Sequence, residues 1–210
     1  MVISYAETIM KPSASILHTK YVGSTAHFLS HVQTNIAAGL YFDHKVYSLS
    51  GDGPVVSKQG RDGKGTTIPD DFNESLASYT MAYNYAHEHF NMKPDDTVLL
   101  TESSLYVNYP GSGLILHTDD HALGLDGTTQ IGVDMHRCIT LLVYLNDDFE
   151  GGAIHFPDQA FRIKPQAGTM IMFPSNKKFM HTVEPIISGN RYAYQRMYGI
   201  ASARSGAFTE

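Results

Sequence analysis

Tryptophan is absent from this 210-residue chain, and cysteine occurs once, as Cys138. A lone thiol cannot close an internal disulfide, so nothing calls for an oxidising compartment. Cys138 lies inside an apolar run and reads as a small buried hydrophobe rather than a reactive group. No stretch reaches the apolar length of a membrane span, and the opening MVISYAETIMKPSAS lacks a basic start followed by a greasy segment. The expectation is a cytoplasmic protein with no membrane partner. Positive charge is scarce too: 15 Lys and Arg stand against 21 Asp and Glu, a net charge of -6. That balance argues against affinity built on phosphate neutralisation, and no nucleic-acid partner is expected.

What is present suits a strand-and-turn protein. Glycine occurs 18 times and tyrosine 13 times, and 42% of residues are hydrophobic, enough for one substantial core. The expected organisation is one domain over 1–210, with helical support and a lid loop in 1–96 and a β core in 97–210. GSTAHFLSHVQTNIAAGLY places Phe28, Val32 and Ile36 at helical spacing, with Ser24 or Thr25 as N-cap and Gly39 as stop, which predicts a helix over 25–38. DDFNESLASYTMAYNYAHEHF predicts a second, capped by Asp70 or Asp71 and ended before Pro94. Between them KVYSLS reads as a strand, and the glycine-rich GDGPVVSKQGRDGKGTTIPDD as a mobile loop over a site. From residue 97 onward, β-prone runs alternate with turn dipeptides such as Pro-Gly and Gly-Gly, the pattern of a sandwich or jelly roll with the helices outside one sheet.

In LILHTDDHALG an aliphatic run ends in imidazoles and carboxylates, which are costly to hold near a core unless something such as a metal compensates. With 11 histidines and 21 acids, a His-x-acid match arises roughly once by chance, so context must decide. His117 and Asp119 lie two apart on a predicted strand and share a face. His181, after the strand GTMIMFP and a turn, could supply a third ligand. Two histidines and one carboxylate on one side of a metal are the facial donor set of non-haem iron(II). A structural histidine beside a turn acid is the alternative for the pair alone. His27 and His31 at i, i+4 offer a weaker zinc pair without a third ligand. His87 and His89 read as solvated, and His121, His136 and His155 as neighbours of the site.

Alternation along RYAYQRMYG puts Arg191, Ala193, Gln195 and Met197 on one face, and an inward arginine asks for an anion. RCITLLVYLN is apolar on both faces, a central strand with Thr140, Leu142 and Tyr144 together. The Tyr144 hydroxyl needs an internal partner, either a carboxylate beside Arg191 or backbone.

Taken in order, NYPGSGLILHTDDH, RCITLLVYLNDDFEGGAIHFP, IKPQAGTMIMFPS and HTVEPIISGNRY resemble the iron(II) and 2-oxoglutarate dependent dioxygenases, in particular the prolyl 4-hydroxylase branch, over residues 106–198. The resemblance implies a double-stranded β-helix, mainly β with N-terminal helices. It implies His117, Asp119 and His181 as Fe(II) ligands, with 2-oxoglutarate contacted by Arg191 and Tyr144 and its pocket lined by Tyr109. O2 as oxidant and ascorbate as reductant follow. The implied reaction oxidises 2-oxoglutarate to succinate and carbon dioxide while hydroxylating an unactivated C–H bond. A prolyl residue of a peptide or protein is the leading substrate; a free amino acid or small metabolite is the alternative, and a non-catalytic metal-binding jelly roll the reading from another class.

Several features bear on the substrate. Arg191 stands where collagen-type members usually carry lysine. Met197 replaces an inward aromatic, which weakens the peptidyl-proline expectation. The segment 120–136 is long. Asp119 itself disfavours a halogenase, which needs a small residue there. Arg196 alternates away from the pocket, against a nucleic-acid demethylase.

Overall fold

The computed structural model describes residues 14–21, 25–43, 48–50, 53–55, 63–66, 73–120, 122–123, 130–131 and 137–201. The chain runs through β1 (Leu17–Lys20), α1 (Thr25–Ala37), β2 (Phe42–Asp43), β3 (Ser48–Ser50), β4 (Gly53–Val55), β5 (Gly63–Thr66) and α2 (Asn73–His89). Then come β6 (Val98–Asn108), β7 (Leu114–His117), β8 (Ala122–Leu123), β9 (Gln130–Ile131), β10 (Ile139–Tyr144), β11 (Glu150–Gly151) and β12 (Ile154–Phe156). β13 (Phe161–Ile163), β14 (Thr169–Pro174), β15 (His181–Val183), β16 (Ile186–Ser188) and β17 (Arg191–Ile200) complete it.

Two antiparallel sheets carry the architecture. The larger has the order β1-β14-β10-β17-β6-β5-β2 and the smaller β13-β12-β15-β7. This is the mainly β jelly roll that the spacing of short strands predicts. β10 and β14 are buried on both faces along their whole length, as expected of an apolar strand at a sheet centre.

Both helices pack on the outer face of the large sheet. Phe28 of α1 is fully buried and stacks on Tyr194 with ring centroids 4.7 Å apart. Ser78 of α2 meets the Tyr194 hydroxyl at 3.1 Å, and Tyr85 donates to Ser15 O at 2.5 Å. Since Tyr194, Arg196 and Tyr198 face the helices, alternation turns Arg191, Ala193, Gln195 and Met197 to the opposite, inner face. Burial pushes the Tyr194 and Tyr198 hydroxyls above their ordinary pKa.

Several expectations need correction. The stretch 51–71 is not loop throughout: β4 pairs with β3, and β5 inserts between β2 and β6. Glycine is what admits β5, because a Cβ at Gly63 would lie 2.2 Å from Val107 O and one at Gly65 2.5 Å from the Phe42 ring. β1 was not expected either; its exposed residues are held by backbone pairing to β14. His89 is buried, its ring 4.3 Å from that of Tyr85, whereas His87 is exposed. The proposed caps Ser24, Asp70 and Asp71, and most of the suggested lid, lie outside the described residues. Among those described, no helix is long and apolar enough to cross a membrane.

Candidate metal centre

The site lies between the two sheets. β15 pairs antiparallel with β7 so that His181 stands directly opposite His117, which brings the two imidazoles to one face with ring centroids 4.2 Å apart. Asp119 follows the end of β7 rather than continuing it, in a bend whose backbone is pinned to Ser175: Asp119 N and Asp120 N both donate to Ser175 O, at 3.0 and 2.9 Å. Thr118 Oγ1 donates to the same carbonyl at 2.7 Å and also contacts Asp120. The pin turns the Asp119 side chain back to the imidazoles. Oδ1 lies 3.6 Å from His117 Nε2 and Oδ2 3.9 Å from His181 Nε2.

Among the described residues, His117, Asp119 and His181 are the group of acids and histidines able to hold an ion, with donor atoms all within 4.8 Å of one another. First-row divalent ions bond nitrogen and oxygen at about 2.1 Å, so adjacent donors around one are about 3 Å apart. The observed separations are wider than that, so the donors would draw together around an ion, and their chemistry suits iron(II). Both rings are also held in one orientation. His117 Nδ1 contacts Ile115 O at 2.8 Å and His181 Nδ1 contacts Phe179 O at 3.1 Å, each carbonyl two residues back along the chain. A carbonyl can only accept, so Nδ1 carries a proton, and in the neutral ring Nε2 keeps its lone pair. Phe156 stacks on the His181 ring at 4.9 Å and Phe173 meets its edge at the same distance. His117 is 23% exposed and His181 only 2%, so the site opens on the β7 side.

The inner face of the large sheet forms the other wall. Thr140 donates to Asp119 Oδ2 at 2.8 Å. Four residues along β10 lies Tyr144, fully buried, with the Arg191 guanidinium carbon 5.8 Å from its ring centroid. Arg191 donates to Asn108 Oδ1 at 2.9 Å and to Gly152 O at 3.2 Å, two neutral acceptors. Gly152 has φ 64°, a backbone conformation that glycine allows, and a Cβ there would sit 3.4 Å from Arg191 Cδ. Tyr109 is half-buried just past the end of β6.

Other candidates separate from the site. His155 pairs with Thr182, the neighbour of His181, and so faces away from the donors, near Glu184. His31 bonds Asn35 at 2.9 Å and His27 packs beside Phe28, with no third donor to either among the described residues. His121 and His136 lie outside the described residues. Arg196 is buried against Tyr194 on the helix side. Sequence reasoning missed Ser175, Asn108 and the contacts of Arg137, which donates to Glu102 and, at 3.4 Å, to Asp119 O. Their only signal was position: Asn108 next to Tyr109, and Ser175 in a turn after an apolar strand.

Residues 104–198, a little under half of the chain, match the model of the 2OG-Fe(II) oxygenase superfamily. Three solved structures that are similar to the chain are prolyl hydroxylases. A Trichoplax adhaerens prolyl hydroxylase, solved in complex with a hypoxia inducible factor oxygen degradation domain peptide fragment, is similar over 94% of this chain and 89% of that one, with TM-score 0.64 and 18% identity. The viral collagen prolyl hydroxylase of Paramecium Bursaria Chlorella virus-1, in its 2OG complex, is similar over 89% and 96%, with TM-score 0.60 and 18% identity. A Pseudomonas putida prolyl-4-hydroxylase is similar over 89% and 93%, with TM-score 0.61 and 14% identity. At such identities the likeness shows the fold. Human prolyl 3-hydroxylase 2 is 39% identical over 62 residues, which is 27% of this chain. The chain spans only 9% of that relative's length, and likewise 9% of chicken prolyl 3-hydroxylase 1. The matched model describes oxygenases that use Fe(II) and 2-oxoglutarate, and this donor set suits such an iron.

Proposed function

We propose that the chain is an Fe(II)- and 2-oxoglutarate-dependent hydroxylase of an unactivated C–H bond, acting on a prolyl residue of a peptide or protein, with carbon 4 as the point of attack. The observation that carries this reading is convergence: two Nε2 lone pairs and one carboxylate oxygen meet between the sheets, and an arginine–tyrosine pair lies farther along the same inner wall.

His117, Asp119 and His181 hold the iron, which when bound supplies oxygen activation coupled to oxidative decarboxylation of 2-oxoglutarate. Arg191 and the Tyr144 hydroxyl take the far carboxylate of 2-oxoglutarate, and its burial makes that charge-assisted bond stronger than one in water. Leu142 and Gln195, in register on β10 and β17, line the wall between clamp and donors. Tyr109 closes the pocket near the clamp. The aromatic packing of Phe156 and Phe173 keeps water from the His181 side, leaving approach from the His117 side for substrate. Ascorbate serves as reductant, returning oxidised iron to the ferrous state. The peptide fragment in the Trichoplax adhaerens complex and the names of the prolyl hydroxylase relatives support a peptidyl substrate.

The test is turnover by the purified chain with Fe(II), ascorbate and 2-oxoglutarate. Succinate should form, and should rise with proline-containing peptides that gain the mass of one oxygen; comparison with authentic 3- and 4-hydroxyproline fixes the carbon. Stimulation by a free amino acid but by no peptide would move the substrate to the metabolite class. Absence of succinate under every condition, with iron bound, would leave a metal-binding jelly roll in place of an enzyme.

A further inference from the structure

A carboxylate has two oxygens, and in this site they are not equivalent. Asp119 Oδ1 faces His117 Nε2 at 3.6 Å, while Oδ2 accepts a hydrogen bond from Thr140 Oγ1 at 2.8 Å and lies 3.9 Å from His181 Nε2. Thr140 is fully buried on the central strand β10, where its position is fixed by pairing on both sides. A hydroxyl has one proton, and an ionised carboxylate can only accept. With that proton on Asp119, the 2.9 Å contact between Thr140 Oγ1 and Ser175 Oγ must run with Ser175 donating. The bonds therefore point one way, from Ser175 to Thr140 to Asp119, an arrangement in which each polarises the next.

Ser175 is buried and anchored in turn. Its backbone N donates to Cys138 O at 2.9 Å, and its carbonyl receives Asp119 N, Asp120 N and the Thr118 hydroxyl. One residue thus fixes the backbone of Asp119 and supplies the hydroxyl chain that reaches its side chain.

We propose that Thr140 is a positioning residue for Asp119: its hydroxyl, fed by Ser175, reserves Oδ2 and leaves Oδ1 as the oxygen offered to a metal. The inference rests on reading the site as an iron(II) centre. It has a consequence for cosubstrate binding. A metal held by three protein atoms on one face keeps its opposite positions for cosubstrate and oxygen. An Asp119 free to grip through both oxygens would compete for one of those positions. The hydroxyl relay therefore protects 2-oxoglutarate binding more than metal binding.

Cobalt(II) serves as a probe that needs no turnover, with its visible spectrum reporting the donor arrangement and titration giving affinities for cobalt(II) and then 2-oxoglutarate. Thr140→Val should alter the spectrum and weaken 2-oxoglutarate binding roughly tenfold, the low end for contacts that orient a ligand, with a smaller change in cobalt(II) affinity. Thr140→Ser should restore both, and Ser175→Ala should shift both part of the way. A Thr140→Val protein with the wild-type spectrum and 2-oxoglutarate affinity overturns the proposal, as does a Thr140→Ser protein that behaves like the valine variant. Where Thr140→Val fails to fold by circular dichroism, Ser175→Ala decides: wild-type behaviour in it overturns the relay. Wild-type protein that binds no cobalt(II) sinks the metal-centre reading itself, a result distinct from cobalt(II) bound but indifferent to Thr140.

Discussion

Among single residues, Arg191 and Asp119 separate binding from turnover. Charge-assisted hydrogen bonds are worth about 1.5–3 kcal/mol, so Arg191→Ala should weaken 2-oxoglutarate binding by roughly ten- to a hundredfold, read by titration of the metal-loaded protein. Asp119→Ala should abolish iron-dependent succinate formation; full activity in that variant would refute the ligand assignment. Cys138 offers a third case. Burial pushes its thiol from the ordinary 9.0 to about 12, so at a pH near 9 the folded thiol stays protonated while an unfolded one ionises. The native protein should resist alkylation that proceeds readily in denaturant. The folded state holds the extra proton between those two values, so this group's contribution to stability is complete below the lower one and is lost as pH rises through the window. The donors were legible at this scale because their types are chemically specific. The hydroxyls that orient them were not, because serine and threonine occur in any turn or strand, and only the fold brings Ser175 to Thr140.

Among elements, α1 fixes the outer face of the sheet whose inner face carries Arg191 and Tyr144. Phe28 is its fully buried anchor on Tyr194. Phe28→Ala should cost about 3–5 kcal/mol, seen as a lower urea midpoint. The C-terminal strands could be read from sequence because alternation and turn residues both mark them. β5 could not: Gly-Lys-Gly-Thr has no strand propensity, and its pairing is selected by the close approach that two glycines permit to Val107 and Phe42. β1 escaped for a related reason, since an edge strand exposed throughout carries no apolar rhythm. The burial of His89 depended on Tyr85 one turn earlier, a contact that a helix-end rule ignores.

For the whole molecule, metal and 2-oxoglutarate held as proposed would bind the folded state through residues from both sheets, so together they should stabilise it. At a hundred times the dissociation constant the gain is about 2.7 kcal/mol, measurable as a rise in Tm with manganese(II) and 2-oxoglutarate over protein treated with chelator. An unchanged Tm under loading would mean that the cavity between the sheets does not take them.

The two walls of that cavity are unequal. Thr140 and Ser175 belong to the region around β10 and β14, which is buried throughout, whereas His117 rides on the edge strand β7 beside Ile115 and Leu116, exposed at 38% and 46%. Deuterium uptake should therefore be lopsided, slow at residues 141–143 and 170–172 and fast along β7. Cofactor would act as a rivet through the seam between them, and the amides of β7 should then keep time with the slow side.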